Sequence, residues 1–263
     1  MDKNFTRKIV TLSLAAILGT ATCLKAQTDS KDESWQENKN MAKMNVPALL
    51  LNTFSFQYER AIGSNMSVAF GARLMPKSGI PYKEKISSWV DEDNTKKTFA
   101  FMKTSNFAFT PEVRFYSGKG VFRGFYVAPY LRFARFNAEA PFDFTIDIPT
   151  TPPTTATETI FFKGDINTFT GGAMIGAQWK LTKQLYLDWW IVGLNYGFSK
   201  GNLVGKRNLN AFEQQELRKE IDDFVNDIPL VKATYTVDSE GADIRFKGPW
   251  AGVRAGVNVG FRF

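Results

Sequence analysis

The stretch AGVRAGVNVGFRF, Ala251 to Phe263, splits cleanly into two alternating sets. Ala251, Val253, Ala255, Val257, Val259, Phe261 and Phe263 form one set, all apolar. Gly252, Arg254, Gly256, Asn258, Gly260 and Arg262 form the other. Successive side chains of a strand point to opposite faces, so a period of two reads as a strand between two unlike environments. One environment accepts only apolar groups. The other is polar and so crowded that every second position on that face is glycine.

The same alternation recurs along the chain. Phe107, Phe109, Val113 and Phe115 oppose Thr110, Glu112 and Arg114. Phe125, Val127, Leu131 and Phe133 oppose Tyr126, Tyr130 and Arg132. Ala173, Ile175, Trp179 and Leu181 oppose Gly172, Gly176, Gln178 and Lys180. Three further segments repeat the pattern. They set Phe54, Phe56 and Tyr58 against Gln57 and Glu59, Phe70 and Leu74 against Gly71 and Arg73, and Leu187 and Trp189 against Asp188. In the last of these the phase blurs after Ile191, as at a bulge. KMNVPALLL is the weakest candidate, with Met44, Val46, Ala48 and Leu50 on one face.

With the terminal segment this makes eight strands, and their connections alternate in length. Short ones fall at 63–65, 117–120 and 182–184; long ones span 75–105, 137–167 and 199–249, and a tight outer turn near Asn52 joins the first two strands at the same end as these. Short turns at one end and long loops at the other are the habit of outer-membrane barrels. The expected fold is therefore all-β, an eight-stranded antiparallel transmembrane β-barrel with long outer loops. A soluble barrel would carry the same period with its faces exchanged. Here the polar face alternates glycine with long charged side chains, which suits a narrow, packed lumen rather than a solvated surface. The apolar face, rich in phenylalanine, suits lipid.

Residues 1–26 read as an export signal: Lys3, Arg7 and Lys8 precede a short apolar core, and small residues lead to Ala26. Residues 27–41 are polar and read as a flexible tether, leaving 42–263 for the barrel. The only cysteine, Cys23, falls within the signal. The pI near 9.3 raises nucleic acid as a partner, but the charge of +7 is dispersed, with no basic run among aromatics, so no nucleic-acid partner is expected.

The chain has no histidine, which removes Ser-His and Cys-His catalysis and His-ligated zinc. The inward carboxylates Glu59, Glu112 and Asp188 are available for acid-base work. The stronger expectation is that they neutralise inward Arg73, Arg114, Arg132, Lys180 and Arg254, because unpaired charge in a narrow barrel is costly. Gln57, Tyr130 and Gln178 would share this interior. Asp91, Glu92, Asp93 and Asn94 lack the spacing of a calcium loop and read as a solvated turn. No cofactor or metal is expected.

The last long loop is the least generic region. Asn210 and Glu213 resemble a capping box, and Leu217, Ile221 and Phe224 recur on one helical face. An amphipathic helix over residues 211–226 is expected, closing over the rim or facing a partner protein. KATYTVDSEGADIRF then reads as a hairpin turning near Asp238–Gly241.

The ending Phe261-Arg262-Phe263 resembles the terminal aromatic signature of Gram-negative outer-membrane proteins that the barrel-assembly machinery reads. The succession LNTFSFQYERAI, EVRFYSGKGVFRGFYVAPYLRF, GAMIGAQWKL and GPWAGVRAGVNVGFRF is similar to a family of small outer-membrane barrels of unknown function in Bacteroidetes-type bacteria. That family is distantly similar to the OmpA transmembrane domain. The resemblance spans most of 44–263 and implies outer-membrane lipid and lipopolysaccharide as surroundings; it implies no catalytic residue. The expected function is non-enzymatic: a structural anchor, or a barrel that binds a protein partner through its outer loops, with a lumen plugged by charge. A small channel or carrier for hydrophobic molecules is the alternative.

Overall fold

The computed structural model describes residues 38–83, 100–118, 120–148, 154–226 and 230–263. The expected export signal, most of the tether and the acidic group Asp91–Asn94 lie outside those residues. Nine strands run β1 (Asn40–Asn45), β2 (Phe54–Ala61), β3 (Met66–Gly79), β4 (Lys103–Tyr116), β5 (Gly124–Ile148), β6 (Thr154–Lys180), β7 (Leu185–Lys206), β8 (Lys232–Asp238) and β9 (Gly241–Arg262). All pairings are antiparallel, in the order β1-β2-β3-β4-β5-β6-β7-β9-β8, and β1 also pairs with β9. Eight strands thus close a ring, and β8 is appended to β9 outside it. The closing seam is zipped at one end: the Asn40 amide donates to the Phe263 carbonyl at 3.1 Å, and the Phe263 amide donates back at 2.9 Å. This end is termed proximal and the opposite one distal.

The two faces fall as the alternation requires. Phe107, Phe125, Leu131, Ile175, Val253 and Phe261 stand exposed on the outside of the ring, while Glu59, Glu112, Arg114, Gln178 and Asp188 are buried within it. Between β6 and β7 the register slips at Ile175/Gly176, and between β7 and β9 at Trp190/Gly193. The expected bulge at Ile191 is therefore real. It moves the inward set of β7 from Asp188 and Trp190 to Gly193 and Asn195.

Three expectations are corrected. First, β1 stops at Asn45, and Val46–Leu49 is a short helix, α1. Pro47 has no amide to give a ladder and suits a first helical turn, while the Asn45 side chain accepts from the Ala48 amide at 3.0 Å. Met44, Val46, Ala48 and Leu50 consequently do not share a strand face. Second, β1 starts at Asn40, inside the span expected to be tether. Third, the long connection 137–167 is mostly sheet rather than loop, and strands also extend into the other two. β5 and β6 pair without a slip from Gly124↔Gln178 to Ile148↔Thr154, so only 149–153 connects them. Their alternation weakens after Phe136, which is why the extension reads as loop in sequence.

The extension has its own core. Helix α2 (Ala211–Asn226) matches its expected bounds, and the Asn210 side chain accepts from the amides of Phe212 and Glu213 at 3.0 and 2.9 Å. The Glu213 carboxylate closes the box by accepting from the Asn210 amide at 2.7 Å. Leu217 and Ile221 bury against Phe144, Ile146, Ile160, Phe162, Val237 and Ile244. Phe224 is exposed, yet its ring lies 6.4 Å from that of Phe142. Of the stripe expected either to close over the rim or to face a partner, Leu217 and Ile221 pack within the chain and Phe224 stays exposed. Phe144 and Ile146 continue the inward parity of Tyr126 to Phe136 in the unslipped β5–β6 ladder. The helix thus sits on the continuation of the luminal face.

Leu217→Ala removes about 2–5 kcal/mol of buried packing. The expected outcome is faster amide exchange in α2 and β8, with β1–β4 unchanged. Equal acceleration in β1–β4 would mean the extension and the ring unfold as one unit.

Candidate functional site

The proximal half of the lumen holds an ionic cluster to which every strand of the ring contributes. Arg114 of β4 is its hub and is fully buried. Its Nε donates to Glu112 Oε1 at 2.7 Å, its Nη2 to Gln57 Oε1 at 2.8 Å, and its Nη1 to Glu59 Oε2 at 3.2 Å and Asp188 Oδ2 at 2.7 Å. Lys43 of β1 pairs with Glu59 and donates to Asp188 Oδ2 at 2.6 Å and Gln178 Oε1 at 3.1 Å. Arg254 of β9 donates to Glu112 Oε2 at 2.8 Å and lies over the Trp190 ring at 4.3 Å. The remaining acceptor sites are filled by neutral donors. Tyr116 and Ser67 donate to Glu59, and Tyr126 donates to Asp188 Oδ1 at 2.7 Å. Trp190 Nε1 donates to Asp188 Oδ2 at 3.2 Å, and Gln57 Nε2 to Glu112 Oε1 at 3.0 Å. Three cations, Lys43, Arg114 and Arg254, match three carboxylates, Glu59, Glu112 and Asp188. Such a set tolerates burial because its Coulombic and hydrogen-bond terms offset desolvation.

Glycine makes the packing possible. The Tyr126 ring lies against Gly176, where a Cβ would overlap it and come within 2.8 Å of the Trp189 carbonyl oxygen. Only a residue without Cβ lets the phenol reach Asp188.

Below the cluster the proximal mouth is stoppered. The turn between β4 and β5 folds Phe122 inward, fully buried, with rings of Tyr116 and Tyr186 at 6.5 and 6.3 Å. Arg262 stacks its guanidinium over Phe122 at 5.3 Å and donates to the Tyr186 hydroxyl at 3.0 Å. Phe122 has φ +68°, a left-handed conformation that a bulky side chain adopts only when its surroundings impose it.

The eight charges expected to form the lumen network divide into five that meet and three that stand apart. Glu59, Glu112, Arg114, Asp188 and Arg254 meet. Lys180 lies at the proximal end of β6 opposite Tyr186, half-buried, and is not in the cluster described. Arg73 and Arg132 lie in the distal lumen. Arg132 Nη1 donates to Thr110 Oγ1 at 3.0 Å, and neither arginine forms an ion pair among the described residues. Lys43 escapes sequence reading because it sits on the least regular strand. Phe122 escapes it because it sits in a turn. The terminal aromatics Phe261 and Phe263 stand exposed on the outer proximal rim, rings 6.5 Å apart.

Among the described residues no helix is long and apolar enough to cross a membrane, which says nothing of strands. The described residues hold no group of metal-ligating side chains.

The chain belongs to the family described as "Protein of unknown function (DUF3575)", whose model matches residues 14–219. No curated protein matches it. Among solved structures it is similar to the translocator domain of autotransporter NalP from Neisseria meningitidis, at 8% identity. That match covers 99% of this chain and 98% of that one with a TM-score of 0.26. It is also similar to a Pseudomonas aeruginosa FadL homologue, at 8% identity, covering 80% and 78%, again with a TM-score of 0.26. Superpositions this loose bear on neither strand number nor role.

Arg114→Met strands Glu59 and Asp188 with Lys43 alone, and the expected loss is about 3–5 kcal/mol. Arg135→Met removes an exposed partner of Asp165 (3.6 Å apart) and should cost about 0–1 kcal/mol. Urea unfolding in detergent compares them. Equal losses would show that the buried cluster adds nothing to stability.

Proposed function

We propose that this DUF3575 protein is an outer-membrane β-barrel with a closed lumen, serving without enzymatic activity as an anchor or as a platform for a protein partner. The observation that carries this reading is the height of the apolar belt. Outward residues of β5 are apolar from Phe125 to Phe133, nine residues, and those of β6 from Phe169 to Trp179, eleven residues, or glycine. A tilted strand needs about 9–11 residues to cross the hydrocarbon layer. Just distal to the belt the outside turns ionic, with Lys77, Arg135, Glu139, Lys163 and Asp165 around one surface pocket or beside it. That change of character suits the head groups of outer-membrane lipid and lipopolysaccharide. Phe261 and Phe263 suit recognition by the barrel-assembly machinery.

Closure follows from the lumen's contents. An eight-stranded barrel is about wide enough for side chains to fill. Here the Arg114 cluster and the Phe122 stopper lie one behind the other, and the carboxylates that acid-base chemistry would need are held in ion pairs. The distal extension, carrying α2 and β8, stands clear of the belt and is the surface such a protein would show a partner. A small channel or carrier is the second reading, favoured by the distal lumen, where Arg73 and Arg132 leave a less filled, cationic vestibule.

Two outcomes are expected. In whole cells of a Cys23→Ser background, an impermeant thiol reagent should label Asp238→Cys and spare Thr182→Cys; labelling of both alike would overturn the topology. In planar bilayers the purified protein should be silent apart from brief openings. Steady conductance would favour the channel reading.

A further inference from the structure

Arg73 and Arg132 occupy a layer of the lumen that the ionic cluster does not neutralise. Register fixes their neighbours. Arg73 on β3 lies opposite Ala108 on β4, and Arg132 on β5 lies opposite Thr170 on β6. Thr170 in turn lies opposite Gly197 on β7. Both guanidiniums are close enough to Arg254 to repel it, and Arg132 is also repelled by Arg73. Three positive groups therefore converge. Among the described residues only Arg254 has a carboxylate, and both oxygens of that carboxylate, on Glu112, are engaged by Arg114, Gln57 and Arg254.

Two polar atoms in this layer are buried without a partner: Arg73 Nε and Thr170 Oγ1, the latter on a residue only 1% exposed. Buried polar groups in folded proteins are almost always hydrogen-bonded, and those without a protein partner take a water or an ion. The arginines themselves remain half-exposed although they point inward, so space the size of a solvent molecule lies beside them. Distal to them Phe136 and Trp250 approach across the lumen, half-buried, with ring centroids 5.3 Å apart. The result is a chamber with a neutral, filled floor, two aromatic rings on its distal side and walls bearing donors.

We propose that this chamber is a binding site for a small oxyanion, a phosphate or carboxylate group, held by Arg73 and Arg132 with Arg254 behind them and Thr170 as a neutral donor. Planar guanidiniums match the paired oxygens of such groups, and a charge of this sign removes the repulsion the apo chamber carries. The inference rests on the lumen alone and holds for an anchor as well as for a channel.

The test is the thermal midpoint of the full chain in an uncharged detergent, with inorganic phosphate replacing chloride at constant ionic strength. Phosphate should raise the midpoint of the wild-type protein. Arg73→Gln and Arg132→Gln should each fold, match or exceed the wild-type midpoint in chloride because repulsion is relieved, and weaken the apparent phosphate affinity about tenfold or more. Lys77→Gln, on the outside, should respond like wild type. A second arm replaces phosphate by a small share of anionic phospholipid in the micelle. A rise there alone, lost in the same two variants, assigns the oxyanion to a lipid head group; a rise with phosphate alone assigns it to a soluble ion. Absence of a rise in both arms, or a rise that survives in Arg73→Gln and Arg132→Gln, would overturn the proposal.

Discussion

The fold depends on the requirement that charge sealed inside a narrow ring be matched. Arg114 reaches Glu59, Glu112 and Asp188 on three different strands, and Lys43 and Arg254 supply the remaining positive charge from the two strands of the closing seam. β1 and β9 are thus joined by backbone hydrogen bonds and also by what they offer to carboxylates elsewhere in the ring. A ring opened at that seam would take Lys43 away from Asp188 and Arg254 away from Glu112. Register is held in the same way. A slip of one residue would carry every inward charge to the apolar outside, so the cluster selects one strand alignment among those the alternation permits.

That dependence explains what sequence made legible. The alternation in 107–115, 125–133, 173–181 and 251–263 identifies strands and their faces because one face must be apolar throughout, and no local exception is tolerated there. The inward carboxylates could be named because their faces are unambiguous. Their partners were harder. Which cation meets which carboxylate depends on the height of each residue in the ring, and height depends on register across several ladders. Hence Arg73 and Arg132 look equivalent to Arg114 in sequence but stand a layer away from it. Lys43 was lost because Pro47 and Asn45 convert the second half of its segment into α1, leaving a six-residue strand with too few alternations to read.

The extension beyond the belt shows one luminal face used for two purposes. In β5 the inward residues run Tyr126, Tyr130 and Arg132, then Phe136, and finally Phe144 and Ile146, in a ladder with β6 that never slips. Within the ring that face meets facing strands and is filled by polar side chains that answer one another. Farther along, the ring has ended and α2 supplies the opposing surface, so the same face becomes apolar. Capping by Asn210 and Glu213 and the contact of Arg218 Nη2 with the Val237 carbonyl at 2.6 Å fix the helix there. Asp222, by accepting from the Tyr235 hydroxyl, ties the helix to β8 and holds that phenol above its ordinary pKa.

The short β1–α1–β2 hairpin gives the ring a lopsided wall. Along β9, β1 reaches only from Arg262 to Asn258, and β8 covers only Gly241 to Lys247. Between them, 248–257 is laddered on the β7 side alone among the described pairings. In the membrane setting proposed above, an unpaired edge facing hydrocarbon would be costly, since no water is present to satisfy it. α1 packs beside β9 at this level and turns Leu49, Leu50 and Leu51 outward, so apolar side chains replace the missing strand as the surface there. Proximal to this level the wall is complete and the lumen filled by the neutral cluster. Distal to it the wall thins beside Arg254 and the lumen holds uncompensated arginines. The tight half of the barrel therefore supplies stability, and the half with space, positive charge and a weaker wall is where a ligand would meet the least resistance.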